Sequence, residues 1–176
     1  MDREGLAKYF AEQGFKIGAE VGVERGYYSK SLLDANPGLK LYCVDAWKAY
    51  KGYRDHTNQA KLERYYHETL ELLEPYGLNV KVLRGWSLDM AEQIPDGSLD
   101  FAYLDANHDF RHLIDDVDTW SKKVRKGGIV AGHDYNRHRR SIECQVKPAI
   151  DAWGHAYGIK INVTNEPDFP SWWYVK

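Results

Sequence analysis

The chain is poor in features that would assign it to a special class. Cys43 and Cys144 are its only two cysteines in 176 residues, and no long apolar span or apolar leader accompanies them. Without those there is no signal peptide or membrane helix to read, so a reduced, cytoplasmic setting is the default expectation. Charge of one sign is also lacking. A formal net charge of -2 gives no electrostatic case for a nucleic-acid or membrane partner. Internal repeats, low-complexity tracts and linkers are missing as well, and 176 residues suit one domain, residues 1–176, able to hold a full sheet covered by helices. Aromatic residues are plentiful at 14%, which suits an aromatic-lined pocket or simply a well-filled core.

One stretch organises the rest. Ile17 to Val23 is a short apolar run interrupted by Glu20 and reads as a buried strand. Gly22 and Gly26 bracket a tight turn, and Ser29 to Asp34 reads as the first turns of a helix. Strand, glycine turn and helix let backbone N–H groups face a cofactor, and glycine keeps side chains away from it while tolerating positive φ. A dinucleotide fingerprint would need glycine at 22, 24 and 27, where Glu24 and Tyr27 stand in the last two places. A phosphate loop would need Gly-Lys-Ser or Gly-Lys-Thr, but Tyr27 and Tyr28 follow Gly26. What is left is acid-x-Gly-x-x-x-Gly, with Glu20 suited to a ligand that presents an ammonium. The alternative is an ordinary strand–turn–helix with structural glycines.

Helical spacing is expected over Asp2–Gln13, Ser29–Ala35, Asn58–Leu73, Met90–Ile94, His112–Val124 and Val146–Tyr157. Gly127 and Gly128 are expected to cap the fifth of these helices. Strands fit Leu39–Val44, Val80–Leu83, Leu99–Leu104, Ile129–Ala131, Ile159–Val163 and Trp172–Val175. Such alternation predicts a parallel sheet with helices on both faces, and the last two strands lie too close together for a helical crossover, so they should form an antiparallel edge. Asp45 closes the second strand about twenty residues past the glycine turn, where an acid would hold the two ribose hydroxyls of a nucleoside. A helix cap is its alternative role.

These residues resemble the class I S-adenosylmethionine-dependent methyltransferases. Glu20-x-Gly22-x-x-x-Gly26 resembles their first motif and Asp45 their ribose-binding acid, while Gly85-Trp86-Ser87 sits where that family contacts adenine. Ser98 to Asp105 resembles the fourth-strand motif, and Lys126 to Ile129 the Gly-Gly approach to the fifth strand. The resemblance runs from about residue 16 to the end. It implies a three-layer Rossmann-like fold with a seven-stranded, mostly parallel sheet and an antiparallel last strand. Within the family, Leu104 to His108 and Gly132 to Tyr135 are most similar to small O-methyltransferases of the catechol and sugar type. There, acids at the ends of strands four and five often hold a divalent metal. This chain offers Asp105 and Asp134, with Tyr135 where a further Asp or Asn is expected and Asn136 one place later.

The resemblance implies S-adenosyl-L-methionine as cofactor, bound by Glu20, Gly22, Gly26, Asp45, Trp86, Ser87 and Asp105. Methyl transfer is an in-line displacement, so its protein must align the reactants and manage the nucleophile's proton. Asp105, His108 and His133 are the catalytic candidates. Either Asp105 and Asp134 hold Mg²⁺ or another divalent ion, or a histidine is the general base. In the plainer reading the acids orient backbone and His108 caps the next helix. Trp47 to His56 and Tyr135 to Arg140 are the expected acceptor loops, the latter with an Arg cluster that suits an acidic substrate or is simply solvated. The expected acceptor is the hydroxyl of a small molecule or glycan, with a second subunit as a candidate helper and the Trp172-Trp173 tail as a candidate contact. A nitrogen or nucleic-acid methyltransferase, or a cofactor-binding module without catalysis, are the alternatives.

Overall fold

The computed structural model describes residues 1–50, 58–136 and 144–176. Seven strands run β1 (Ile17–Val21), β2 (Lys40–Asp45), β3 (Val80–Arg84), β4 (Leu99–Leu104), β5 (Val124–Gly132), β6 (Asn162–Val163) and β7 (Trp172–Val175). Among the described residues six α-helices accompany them: α1 (Arg3–Glu12), α2 (Tyr27–Ala35), α3 (Gln59–Leu73), α4 (Ser87–Ala91), α5 (Phe110–Lys123) and α6 (Val146–Tyr157). The sheet order is β3-β2-β1-β4-β5-β7-β6. Strands β1 to β5 pair in parallel, and β7 lies antiparallel between β5 and β6. The expected seven-stranded sheet with an antiparallel last strand is therefore present. The chain winds away from β1 in both directions, leaving a crevice beyond the carboxyl ends of β1 and β4, where open α/β sheets bind ligands.

Helices cover both faces. One core joins α1, α2 and α3 to the sheet through Leu6, Phe10, Leu32 and Leu62; the other joins α4, α5 and α6 through Ala91, Val117, Trp120 and Ile150. Strand side chains alternate between them, Phe101 and Tyr103 on one side and Ala102 and Leu104 on the other, as the pleat requires. Among the described residues no helix is long and apolar enough to cross a membrane.

Three sequence expectations are corrected. The helix α5 stops at Lys123, and Gly127 and Gly128 do not cap it; they sit in a bulge of β5, where Leu99 pairs with Val124 but Phe101 already pairs with Ile129. Gly127 has φ +76°, a conformation that side chains rarely adopt, and a Cβ on Gly128 would come 2.4 Å from the Asp100 carbonyl oxygen, so backbone conformation requires the first glycine and the close approach of β4 the second. Helix α4 begins at Ser87 rather than Met90. The Trp172-Trp173 tail is no free surface: Trp172 is fully buried in the sheet, and Trp173 packs its ring 5.4 Å from that of Tyr9 in α1.

Candidate active site

A cleft of about 760 Å³ opens at the carboxyl ends of the first four strands. Glu20, Gly22, Asp45, Trp86, Ser87, Asp105 and His108 all line it. Gly26 does not stand among its lining residues. It sits at the N-cap of α2 with φ +78°, and a Cβ there would point at the Thr69 methyl, 3.2 Å away. Its role in the turn is conformational. Gly22 also has positive φ, +91°, but the close approach that requires it comes from the protein, for a Cβ would stand 2.1 Å from the Asp105 carbonyl oxygen. It thus lets the turn after β1 nest against the end of β4.

Asp45 ties two turns together. Its Oδ2 accepts from the Glu24 amide at 2.9 Å and its Oδ1 from the Trp47 amide at 2.8 Å. Both donors belong to residues in left-handed conformation, Glu24 at φ +52° and Trp47 at φ +40°. Glu20, 1% exposed, accepts a hydrogen bond from the Ser29 hydroxyl. Burial pushes its carboxyl up to about 8, against the downward pull of Ser29 and Arg3. Between the ordinary value of 4.5 and about 8 the folded chain keeps a proton that the unfolded chain has lost, so Glu20 makes stability fall as pH rises across that window. Glu20→Gln should remove this slope: its melting temperature relative to wild type should climb between the two ends of the window, and parallel melting curves would show that Glu20 does not titrate there.

At the other side of the rim β4 and β5 bring four polar side chains together. His108 Nε2 lies 3.4 Å from Asp105 Oδ1 and 3.2 Å from Asp134 Oδ2, while His133 Nδ1 lies 3.7 Å from Asp105 Oδ2 and 3.5 Å from Asp134 Oδ1. Burial pushes the Asp134 carboxyl up, but His133, His108 and Arg3 together hold it below its ordinary value. His108 does not cap the next helix. Asp109 does so, accepting from the His112 amide at 2.9 Å. Tyr135, standing where a further metal acid was expected, turns away to α6: its hydroxyl donates to Asp151, and the Lys147 ammonium lies 4.7 Å from the centre of its ring.

Two site residues carried no weight in the sequence reading. Arg3, from the first turn of α1, reaches the cleft and places Nη2 3.0 Å from Asp105 Oδ2, its guanidinium 4.1 Å from the centre of the Tyr28 ring. No local pattern marks it, because only the packing of α1 on the sheet brings it there. Asp116, from α5, also lines the cleft and is 5% exposed. A signal for it exists: an acid beside Leu113, Val117 and Trp120 on the apolar stripe of a helix. Of the expected acceptor loops, residues 51–57 and 137–143, including the Arg cluster, lie outside the described residues.

A family model described as a methyltransferase domain matches residues 19–135. An uncharacterized protein of Acanthamoeba polyphaga mimivirus is 32% identical over 81 residues, 43% of this chain and 35% of that one, so the match spans about a third of the curated relative's length. Among solved structures, a candidate caffeoyl-CoA O-methyltransferase of Staphylococcus aureus superposes with a TM-score of 0.74 at 13% identity, over 99% of this chain and 82% of that one. An O-methyltransferase of Bacillus cereus in complex with S-adenosylhomocysteine gives 0.71 at 18%, over 99% and 80%. The O-methyltransferase TomG of Streptomyces achromogenes, involved in tomaymycin synthesis and solved with S-adenosylmethionine, gives 0.70 at 16%, over 99% and 79%. The fold is that of the class I methyltransferases. Since the matched residues carry the glycine turn, Asp45 and the whole Asp105–Asp134 cluster, the chain belongs to the methyltransferase-domain family.

Proposed function

We propose that this enzyme transfers the methyl group of S-adenosyl-L-methionine to a hydroxyl oxygen of a small molecule or sugar. The observation that carries the reading is the placement of His108 between two carboxylates on the wall of a cleft whose far end bears Asp45, Trp86 and Ser87. The structural relatives solved with S-adenosylmethionine or S-adenosylhomocysteine support the cofactor, and their O-methyltransferase names support oxygen as the acceptor. Bound in this cleft, the cofactor would be held at its ammonium by Glu20, at its ribose by Asp45 and at its base by the Trp86 end. Because Glu20 is held protonated in the free protein, meeting an ammonium favours its ionisation. Cofactor binding at neutral pH is thus expected to release a proton, seen as a binding heat that depends on the buffer's ionisation enthalpy; a buffer-independent heat would place the ammonium elsewhere.

In the chemical step the acceptor oxygen attacks the methyl carbon as the carbon–sulfur bond breaks. The His108 imidazole takes the hydroxyl proton, and Asp105 and Asp134 compensate the imidazolium charge. Much of the barrier is lowered by holding the oxygen, carbon and sulfur in line. Arg3 fixes the Asp105 carboxylate on the side away from His108, through Oδ2 rather than Oδ1.

A second reading has its own observation. One ligand atom from each of Asp105, His108 and Asp134 lies within 4.8 Å of the others, a spacing that suits a single divalent ion. Bound there, such an ion would lower the pKa of the acceptor hydroxyl; a mixed nitrogen and oxygen donor set favours a transition metal over Mg²⁺. The two readings part on one experiment. In a methyl-transfer screen over hydroxyl-bearing acceptors, the general-base reading expects turnover that survives EDTA and collapses in His108→Ala. Turnover lost to EDTA and restored by Mn²⁺ or Mg²⁺ would select the metal, and transfer only to nitrogen acceptors would overturn the oxygen assignment. Asp45→Ala should weaken cofactor binding by about 1–3 kcal/mol, since a charged hydrogen-bond partner is removed; calorimetry showing unchanged affinity would count against its ribose role.

A further inference from the structure

The corner after β5 breaks the rule that strand side chains alternate. In an extended chain His133 and Asp134 would point to opposite faces of the sheet. Here both reach one cluster, with His133 Nδ1 3.5 Å from Asp134 Oδ1 and His108 Nε2 3.2 Å from Asp134 Oδ2. The left-handed turn at Asp134, φ +56°, is what brings two successive side chains to the same side. A residue with a Cβ keeps that conformation only where its surroundings hold it. Three backbone contacts do so. Ahead of the corner the His133 amide donates to the Leu104 carbonyl at 3.1 Å, and behind it the Tyr135 amide donates to the Pro170 carbonyl at 2.9 Å. The Asn136 amide closes back on the Asp134 carbonyl at 2.6 Å. Almost any sequence could make these bonds.

The Tyr135 side chain adds a fourth tie, and this one depends on the residue's identity. Its ring packs against the core on the α5 and α6 side of the sheet, and its hydroxyl donates to Asp151 of α6. Lys147, one turn earlier on that helix, pairs with the same carboxylate and places Nζ 3.3 Å from the phenol oxygen. Burial and the Asp151 carboxylate push the Tyr135 phenol up, against the pull of Lys147, so it stays protonated and donating. The helix is a firm anchor, since Val146, Ala149 and Ile150 are all buried beneath it. Asp134 and Tyr135 thus leave one corner in different directions, the first toward His108 and the second onto α6. Fixing the second side chain restrains the backbone that aims the first. We infer that Tyr135 is a positioning residue for the reaction: by tying the corner to α6 it holds Asp134 in its left-handed turn against His108. This rests on the reading above, in which Asp134 serves the chemical step.

The test is Tyr135→Phe in the full chain, which removes one hydroxyl from a partly exposed site and keeps the ring. In the screen over hydroxyl-bearing acceptors kcat should fall about tenfold or more, the scale of a reacting group misplaced by less than about 1 Å. Acceptor KM and S-adenosylhomocysteine affinity should hold. Asp151→Ala should reproduce the loss, and Asp151→Asn should recover most of it, because an amide oxygen still accepts from the phenol. Tyr135→Phe combined with Asp151→Ala should be no slower than Tyr135→Phe alone, since both changes cut the same tie. A merely structural Tyr135 would lower the melting temperature and leave kcat intact, or weaken turnover and binding together. Either result overturns the proposal, and so do additive losses in the double variant. Asp151 is exposed, so its two variants decide the matter even where Tyr135→Phe does not fold. Wild type without transfer to any hydroxyl acceptor refutes the reaction, and this inference with it; wild-type transfer that Tyr135→Phe leaves unchanged refutes this inference alone.

Discussion

Asp105→Asn is expected to lower turnover by about 10²–10⁴-fold, the range of a lost acid–base arrangement, while cofactor affinity falls far less. Asp105 is the hub of the site. Its Oδ1 faces His108 at 3.4 Å, and its Oδ2 faces Arg3 at 3.0 Å and His133 at 3.7 Å. Asparagine keeps the shape but removes the charge that compensates a protonated His108, and it leaves the Arg3 guanidinium beside a neutral amide. The fold should tolerate this, since the residue is only partly buried. Comparing kcat with S-adenosylhomocysteine affinity in the same preparation reads the difference. Equal losses in both would move Asp105 into the cofactor shell and take the proton-handling role away from it.

Gly22→Val should fail earlier, at folding. The first added carbon would lie 2.1 Å from the Asp105 carbonyl oxygen and 2.6 Å from the Ala106 amide nitrogen, all of them backbone that no rotamer change can move. The position also sits at φ +91°, which a β-branched residue does not adopt without strain. Overpacking against backbone combined with backbone strain belongs to the class of substitutions costing about 4 kcal/mol or more. For a chain of this size that is a fall in melting temperature of about 10 °C. Gly26→Ala provides the contrast. Its nearest contact would be the Thr69 methyl at 3.2 Å, a side chain able to give, so only the positive φ resists, at about 1 kcal/mol. Equal melting losses for the two variants would mean that the β1 turn is not nested on β4 as described.

The contrast between these glycines shows what a linear reading captures. Glu20, Gly22 and Gly26 announce a special turn, because the spacing and the positive φ are local properties. What lies against each glycine is not local: Gly22 meets β4, which follows about eighty residues later, and Gly26 meets α3. The same holds at the acids. Asp45, Asp105 and Asp134 are legible as strand-end residues, and a parallel sheet must bring strand ends to one rim. That Tyr135 turns to Asp151 while Asp134 turns inward depends on the conformation of one residue, Asp134 at φ +56°, which no pattern in its neighbours signals. Asp116, an acid on an apolar stripe, carries no weight in the sequence because its partner Ser87 comes from another helix. Arg3 was invisible, since the docking of α1 alone carries it to Asp105.

Placement of the boundaries follows the same logic. The α5 and β5 boundary was misread because Gly127 and Gly128 look like a helix stop in isolation. Their real constraints are the positive φ of Gly127 and, at Gly128, the β4 backbone, with the Asp100 carbonyl oxygen 2.4 Å from where a Cβ would be.

A crystal structure of the chain with S-adenosylhomocysteine tests the central claim most directly. The ligand's ammonium is expected toward Glu20, its ribose hydroxyls on Asp45 and its base against Trp86, with the sulfur pointing at His108. A ligand bound across another edge of the sheet, or saturating ligand that leaves this cleft empty, would contradict it.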